Sequence, residues 1–91
     1  MSVVWTRAAE QDLSEIVEFI ALDNPLAAIE MDELILAAAN RLSDQPLMGK
    51  AGRIAGTREL VVHESYRLIY ETQHGRVWVL AVVHTARKFP L

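Results

Sequence analysis

Cationic side chains gather toward the end of this 91-residue chain, at Arg58, Arg67, His84, Arg87 and Lys88. Arg58 opens one apolar run, Arg67 sits inside the next, and His84, Arg87 and Lys88 follow the last. If these runs are strands of one meander, their ends can converge on one side of a sheet. Such a set suits the cleavage of RNA by its own 2′-hydroxyl. Cations offset the phosphorane charge, and an imidazole moves a proton. Arg67, Arg87 and His84 would take those roles. The plainer alternative pairs the arginines with Glu59, Glu64 and Glu71 as surface ion pairs. Tyr66 is open to two readings, a hydroxyl or stacking platform beside Arg67, or, with Tyr70, a core residue.

Other chemistries have less behind them. Without cysteine there is no thiol nucleophile, no disulfide and no thiolate metal site, which fits a reducing cytoplasm. His63, His74 and His84 follow no compact ligand spacing, so no metal is expected. His63 and His84 can approach across a sheet, as strand-end histidines do. Gly49-Lys50-Ala51-Gly52-Arg53 is glycine-rich but lacks phosphate-loop spacing, and it reads as a flexible loop carrying two cations. Nothing implies a cofactor. At the end, Phe89-Pro90-Leu91 either tucks back onto the sheet or offers an apolar contact to another protein.

The elements that must position these groups follow from periodicity. Val3-Val4-Trp5 is a short strand candidate, and Thr6 offers a helix cap. Ala9, Leu13, Ile16, Val17 and Ile20 then recur at helical spacing. Asp23-Asn24-Pro25 ends that helix and starts a second, with Asn24 as cap and Pro25 in the first turn. Glu30, Asp32 and Glu33 are expected to favour its N-terminal dipole. Met31, Ile35, Ala38 and Leu42 form its apolar stripe, which Leu34 would widen. Residues 47–57 read as a loop. Strands follow at Thr57 to His63, Tyr66 to Glu71 and Val77 to Val83, the last apolar on both faces and therefore central. The expected fold is α+β, in the order β-α-α-β-β-β. A helix hairpin packs on a small, mainly antiparallel sheet, in one domain over 1–91.

Charge divides the chain. Residues 1–47 carry two basic and nine acidic side chains, a balance of −7. Residues 48–91 carry seven basic and three acidic ones, a balance of +4. The net −3 argues against a general nucleic-acid binder. The basic half can still present a patch to an anionic partner. The longest apolar run, Val77 to Val83, is far short of the roughly 20 residues of a membrane helix. No signal peptide is visible, so a cytoplasmic location is expected.

Three segments together resemble the RelE/ParE toxin superfamily. They are Thr57-Arg58-Glu59-Leu60-Val61-Val62-His63, Tyr66-Arg67-Leu68-Ile69-Tyr70, and Val82-Val83-His84-Thr85-Ala86-Arg87-Lys88-Phe89-Pro90. Val4-Trp5-Thr6 and Asn24-Pro25-Leu26-Ala27-Ala28 extend the resemblance over the whole chain. It implies the toxin of a type II toxin–antitoxin pair, neutralised by a ParD- or RelB-like antitoxin. It also implies operator DNA contact only through that antitoxin, and room for a higher-order hetero-oligomer. RelE-like members cut mRNA on the ribosome, and ParE-like members poison DNA gyrase. Arg67 matches a RelE catalytic arginine and Arg87 falls near a second. Arg58 and Leu60, however, stand where RelE has lysines, and no tyrosine follows Arg87. The ending is closer to ParE. The expectation is a gyrase-binding toxin whose target contacts are Lys50, Arg53, Arg58, Arg87, Lys88 and Phe89. On that reading it is not itself an enzyme, and its antitoxin covers the apolar helix faces and a sheet edge. The alternatives are a metal-independent ribonuclease using Arg67, Arg87 and His84, and a non-toxic antitoxin-binding member.

Overall fold

A computed structural model describes residues 1–86. The elements run β1 (Ser2–Trp5), α1 (Arg7–Ala21), α2 (Pro25–Arg41), β2 (Lys50–Ala51), β3 (Thr57–His63), β4 (Tyr66–Gln73) and β5 (Arg76–His84). The five strands form one sheet in the order β1-β5-β4-β3-β2. β1 runs parallel to β5, and the other neighbours are antiparallel. The expected architecture therefore stands, with one addition. Residues 50–51, read as loop, form the short edge strand β2 against Arg58 and Glu59. A two-residue pairing is too brief to leave an alternation pattern in the sequence.

Both helices begin where their caps predict. The Thr6 hydroxyl accepts from the Ala9 N–H (3.1 Å), and Asn24 Oδ1 accepts from the Ala27 N–H (3.0 Å). Pro25 occupies the first turn of α2, where its missing N–H costs nothing. That first turn holds no acidic residue. Glu30, Asp32 and Glu33 begin one turn too late for the dipole to act on them, because its effect fades within the first turn. The buried face of α2 is Ala28, Ile35, Ala38, Ala39 and Leu42. Leu34 lies at the flank of this face and is not part of the buried core: its side chain is 40% exposed.

The helix hairpin covers one face of the sheet. Ala9, Ile35, Ala38 and Ala39 pack on Leu68, Val79 and Val82, with Trp5, Leu13, Ile16 and Leu60 around them. A second cluster joins Leu42 to Tyr70 and Val77. Small alanines at the contact let the helices approach closely. No helix among the described residues is long and apolar enough to cross a membrane.

β1 is shorter than the strand it pairs with, covering only Arg76 to Val79 of β5. The remaining edge of β5 needs other partners, since unpaired buried backbone groups are costly. The start of α1 supplies them. The Thr6 N–H and hydroxyl both donate to the Val79 carbonyl (3.1 and 3.0 Å). Asp12 Oδ2 accepts from the Val82 N–H (3.0 Å). Burial raises the Asp12 pKa above its ordinary 3.8, the Val82 N–H opposes this, and Glu15 adds to it. A raised folded pKa means that this carboxyl contributes most at low pH, and that the contribution is lost as pH rises through the folded value.

Asp12→Asn keeps the acceptor and removes the ionisation. Its stability at pH 7 should equal or exceed the parent's, and the margin should shrink below the ordinary carboxyl value of 3.8. Asp12→Ala orphans the Val82 N–H and should lose about 1–3 kcal/mol at every pH. Urea melts at both pH values read the difference.

Candidate functional site

The sheet face away from the helices carries a polar concavity of about 350 Å³, lined by Lys50, Ala51, Gly52, Arg53, Glu59, Arg67, Thr85 and Ala86. Its floor is an ion pair. Arg67 Nε lies 3.3 Å from Glu59 Oε1, and the side chains are only 16% and 7% exposed. The Arg53 backbone N–H donates to the other carboxylate oxygen, Glu59 Oε2 (3.3 Å). Lys50 stands directly across from Glu59 in the β2–β3 pairing. β4 places Arg67 on the other side, one step along from the Ile69 that faces Glu59. The order across three strands is thus cation, carboxylate, cation.

A network under the β2 segment sets its position. The Tyr70 hydroxyl donates to the Pro46 carbonyl (2.8 Å) and accepts from the Gly49 N–H (2.9 Å). Arg58 Nη1 donates to the Gly49 carbonyl (2.8 Å). Gly49 has no room for a side chain: a Cβ there would sit 2.8 Å from the Glu59 carbonyl oxygen and from Tyr70 Cε1. Tyr70 is therefore a core residue, as one reading of the sequence expected. Arg58, expected to face a target, has its guanidinium on this loop.

The predicted cationic cluster is divided by the sheet. Tyr66 and Arg67 are adjacent along β4 and so point to opposite faces. His84 is the cross-strand partner of Tyr66 and meets its ring edge-on, with centroids 5.5 Å apart. His63 lies on the other side of Tyr66 at 6.4 Å. The convergence of Arg67 with His84 does not occur: the histidine packs on the face opposite the Arg67–Glu59 pair. His63 and His84 do approach each other, with Tyr66 between them. Each Nδ1 accepts a backbone N–H two residues on, from Ser65 and from Ala86 (both 3.1 Å). These bonds assign the proton of the neutral rings to Nε2. Lys50 and Arg53 are exposed at the rim. Arg87, Lys88 and Phe89 lie outside the described residues.

The helix side has a second concavity, a groove of about 540 Å³. Trp5, Leu13, Val17 and Leu36 give it apolar walls, and Glu10, Glu18 and Asp32 an acidic rim. At the hairpin tip Phe19 and Leu22 are 71% and 83% exposed, and Leu26 and Ile29 are exposed as well. The helical periodicity missed this patch. Its only signal was that Phe19 and Leu22 are large apolar residues lying off the buried stripe of α1.

Sequence comparison matches residues 3–89 to the family model of the ParE toxin of the type II toxin–antitoxin system parDE. The chain belongs to the ParE toxin family. It is similar to the toxin RelE2 of Caulobacter vibrioides, 38% identical over 85 residues, covering 93% of this chain and 96% of that one. Its fold matches a solved chain of the chromosomal ParDE system from P. aeruginosa, with a TM-score of 0.83, 20% identity, and 92% and 95% of the two chains covered. It also matches a YoeB/ParE toxin from Agrobacterium tumefaciens, with a TM-score of 0.64, 22% identity, and coverage of 92% and 98%. This ParE-family protein is thus the toxin of a type II toxin–antitoxin pair, and its class implies a cognate antitoxin as partner. Two helices on a five-stranded, mostly antiparallel sheet is the fold it shares with those structures.

The loop network is testable through stability. Tyr70→Phe leaves the buried Gly49 N–H without its acceptor and should cost about 1–3 kcal/mol in urea unfolding. Gly49→Ala forces a Cβ against Tyr70 and the β3 backbone and should cost a similar ~1–3 kcal/mol. Tyr70→Phe with unchanged stability would contradict the network.

Proposed function

We propose that this toxin acts by binding DNA gyrase and not by cutting RNA itself. The observation that carries the reading is the Arg67–Glu59 pair. Arg67 is the residue that would stabilise a phosphorane, and a buried carboxylate already neutralises it. A phosphate approaching that site meets a negative charge at close range, in surroundings that screen it poorly. His84, the other described member of the catalytic set, packs on the opposite sheet face against Tyr66. The acidic balance of the chain is consistent with this, since a ribosome-bound nuclease has RNA phosphates to approach.

On this reading Lys50 and Arg53, at the rim of the cationic face, make target contacts together with Arg87, Lys88 and Phe89 of the tail. Arg58 contributes by holding the loop that carries Lys50. The antitoxin takes the other side. The acidic-rimmed groove between α1 and α2 and the exposed Phe19, Leu22, Leu26 and Ile29 offer apolar surface to a segment that folds on binding. Both processes belong in the cytoplasm.

Purified toxin, freed of antitoxin, is incubated with gyrase and supercoiled plasmid, and in parallel with translating ribosomes. Cleaved plasmid should accumulate while the mRNA stays intact. Arg67→Ala should keep this activity within about threefold. The double substitution Lys50→Ala, Arg53→Ala, or deletion of 87–91, should reduce it tenfold or more with antitoxin binding retained. Codon-phased mRNA cuts with normal supercoiling would overturn the proposal and return Arg67 and Arg87 to catalysis.

A further inference from the structure

We propose that Glu59 is a specificity residue: its carboxylate occupies the place of a phosphate in the Lys50/Arg53/Arg67 pocket and so keeps nucleic acid out. The inference rests on the reading of this toxin as a protein-binding one, and it names the residue that enforces that choice.

Lys50, Arg53 and Arg67 line one concavity, together with the backbone of Ala51 and Gly52. An arginine Nε–H and a backbone N–H aimed at one point are the usual furniture of a phosphate site. Here Glu59 takes that place: the Arg53 N–H donates to its Oε2 (3.3 Å), and Arg67 Nε forms an ion pair with its Oε1 at 3.3 Å. The Glu59 side chain is more than nine-tenths buried, so it does not compete loosely from the rim but sits in the floor. The remaining hydroxyl, that of Thr85, is turned away and donates to the Glu64 carbonyl (2.7 Å). Charge therefore decides occupancy. With Glu59 ionised, one buried negative charge faces any incoming phosphate. With that charge removed at constant shape, three cations line the pocket and their donors face a neutral amide. The site would then take a phosphodiester, with an affinity that falls as salt rises.

The test uses the full chain, freed of antitoxin, and a short fluorescein-labelled single-stranded RNA at low salt, read by anisotropy. It contains neither gyrase nor ribosomes, so its outcome is independent of the toxin's target. Glu59→Gln should bind the RNA at least about tenfold tighter than the parent, with a steeper salt dependence. Glu59→Asp keeps the charge and should bind like the parent. The double variant Glu59→Gln, Arg67→Gln should lose the gain. Arg67→Gln alone uncovers the Glu59 charge and should bind the RNA no better than the parent; this arm holds even if Glu59→Gln folds poorly by circular dichroism. Equal gains for Glu59→Asp and Glu59→Gln would point to loosening, not charge, and would overturn the proposal. So would a gain that survives loss of Arg67, or a gain for Arg67→Gln alone.

Discussion

A carboxylate buried in a sheet must find positive partners, and Glu59 organises one whole side of this molecule around that need. Arg67 reaches it from β4, and the Arg53 N–H closes on it from the loop beyond β2. That loop can come so near only because Gly49 has no side chain and because the Tyr70 hydroxyl and the Arg58 guanidinium tie its backbone down. β2, the outermost strand, is thus a consequence of how Glu59 is satisfied as much as of strand pairing. The same interaction sets the chemistry of the face. Lys50 and Arg53 stay exposed as cations, while Arg67 is paired in the floor.

The two faces of the sheet differ in chemistry. On the helix side, packing consumes the apolar stripe of both helices and leaves an acidic-rimmed groove and an apolar hairpin tip. On the other side lies a polar concavity rimmed with cations. This asymmetry is the charge division of the chain, acidic helices followed by basic strands, folded into two surfaces. The two surfaces are therefore unlike in chemistry, as the proposed division between antitoxin and target requires.

Much of this was legible before any coordinates. Thr6 and Asn24-Pro25 mark helix starts with local chemistry alone, and their bonds are those that the residue types demand. The strands of the meander were legible because alternation and apolar runs are local too. What escaped the sequence was set by contacts between distant segments. β2 exists through register with Arg58 and Glu59 and has no pattern of its own. Asp12 caps the free edge of β5 from a position 70 residues away. Leu34 stays out of the core because its place on α2 is at the flank of the buried face, 40% exposed. The site was the least legible part. The arginines at 58 and 67 were visible as cations, but strand alternation sends them to opposite faces. Sequence alone kept open both a catalytic Arg67 and one paired with Glu59. The choice between them is made by a diagonal across the β3–β4 pairing.

The character of this face depends on Glu59 and Arg67 acting as a true buried pair. A double-mutant cycle with Glu59→Gln, Arg67→Gln and their combination, read by urea unfolding at pH 7, measures it directly. A coupling free energy of about 1–3 kcal/mol is expected for charges so little exposed. A coupling below about 0.5 kcal/mol, typical of solvated surface charges, would contradict the account and leave Arg67 available for other work.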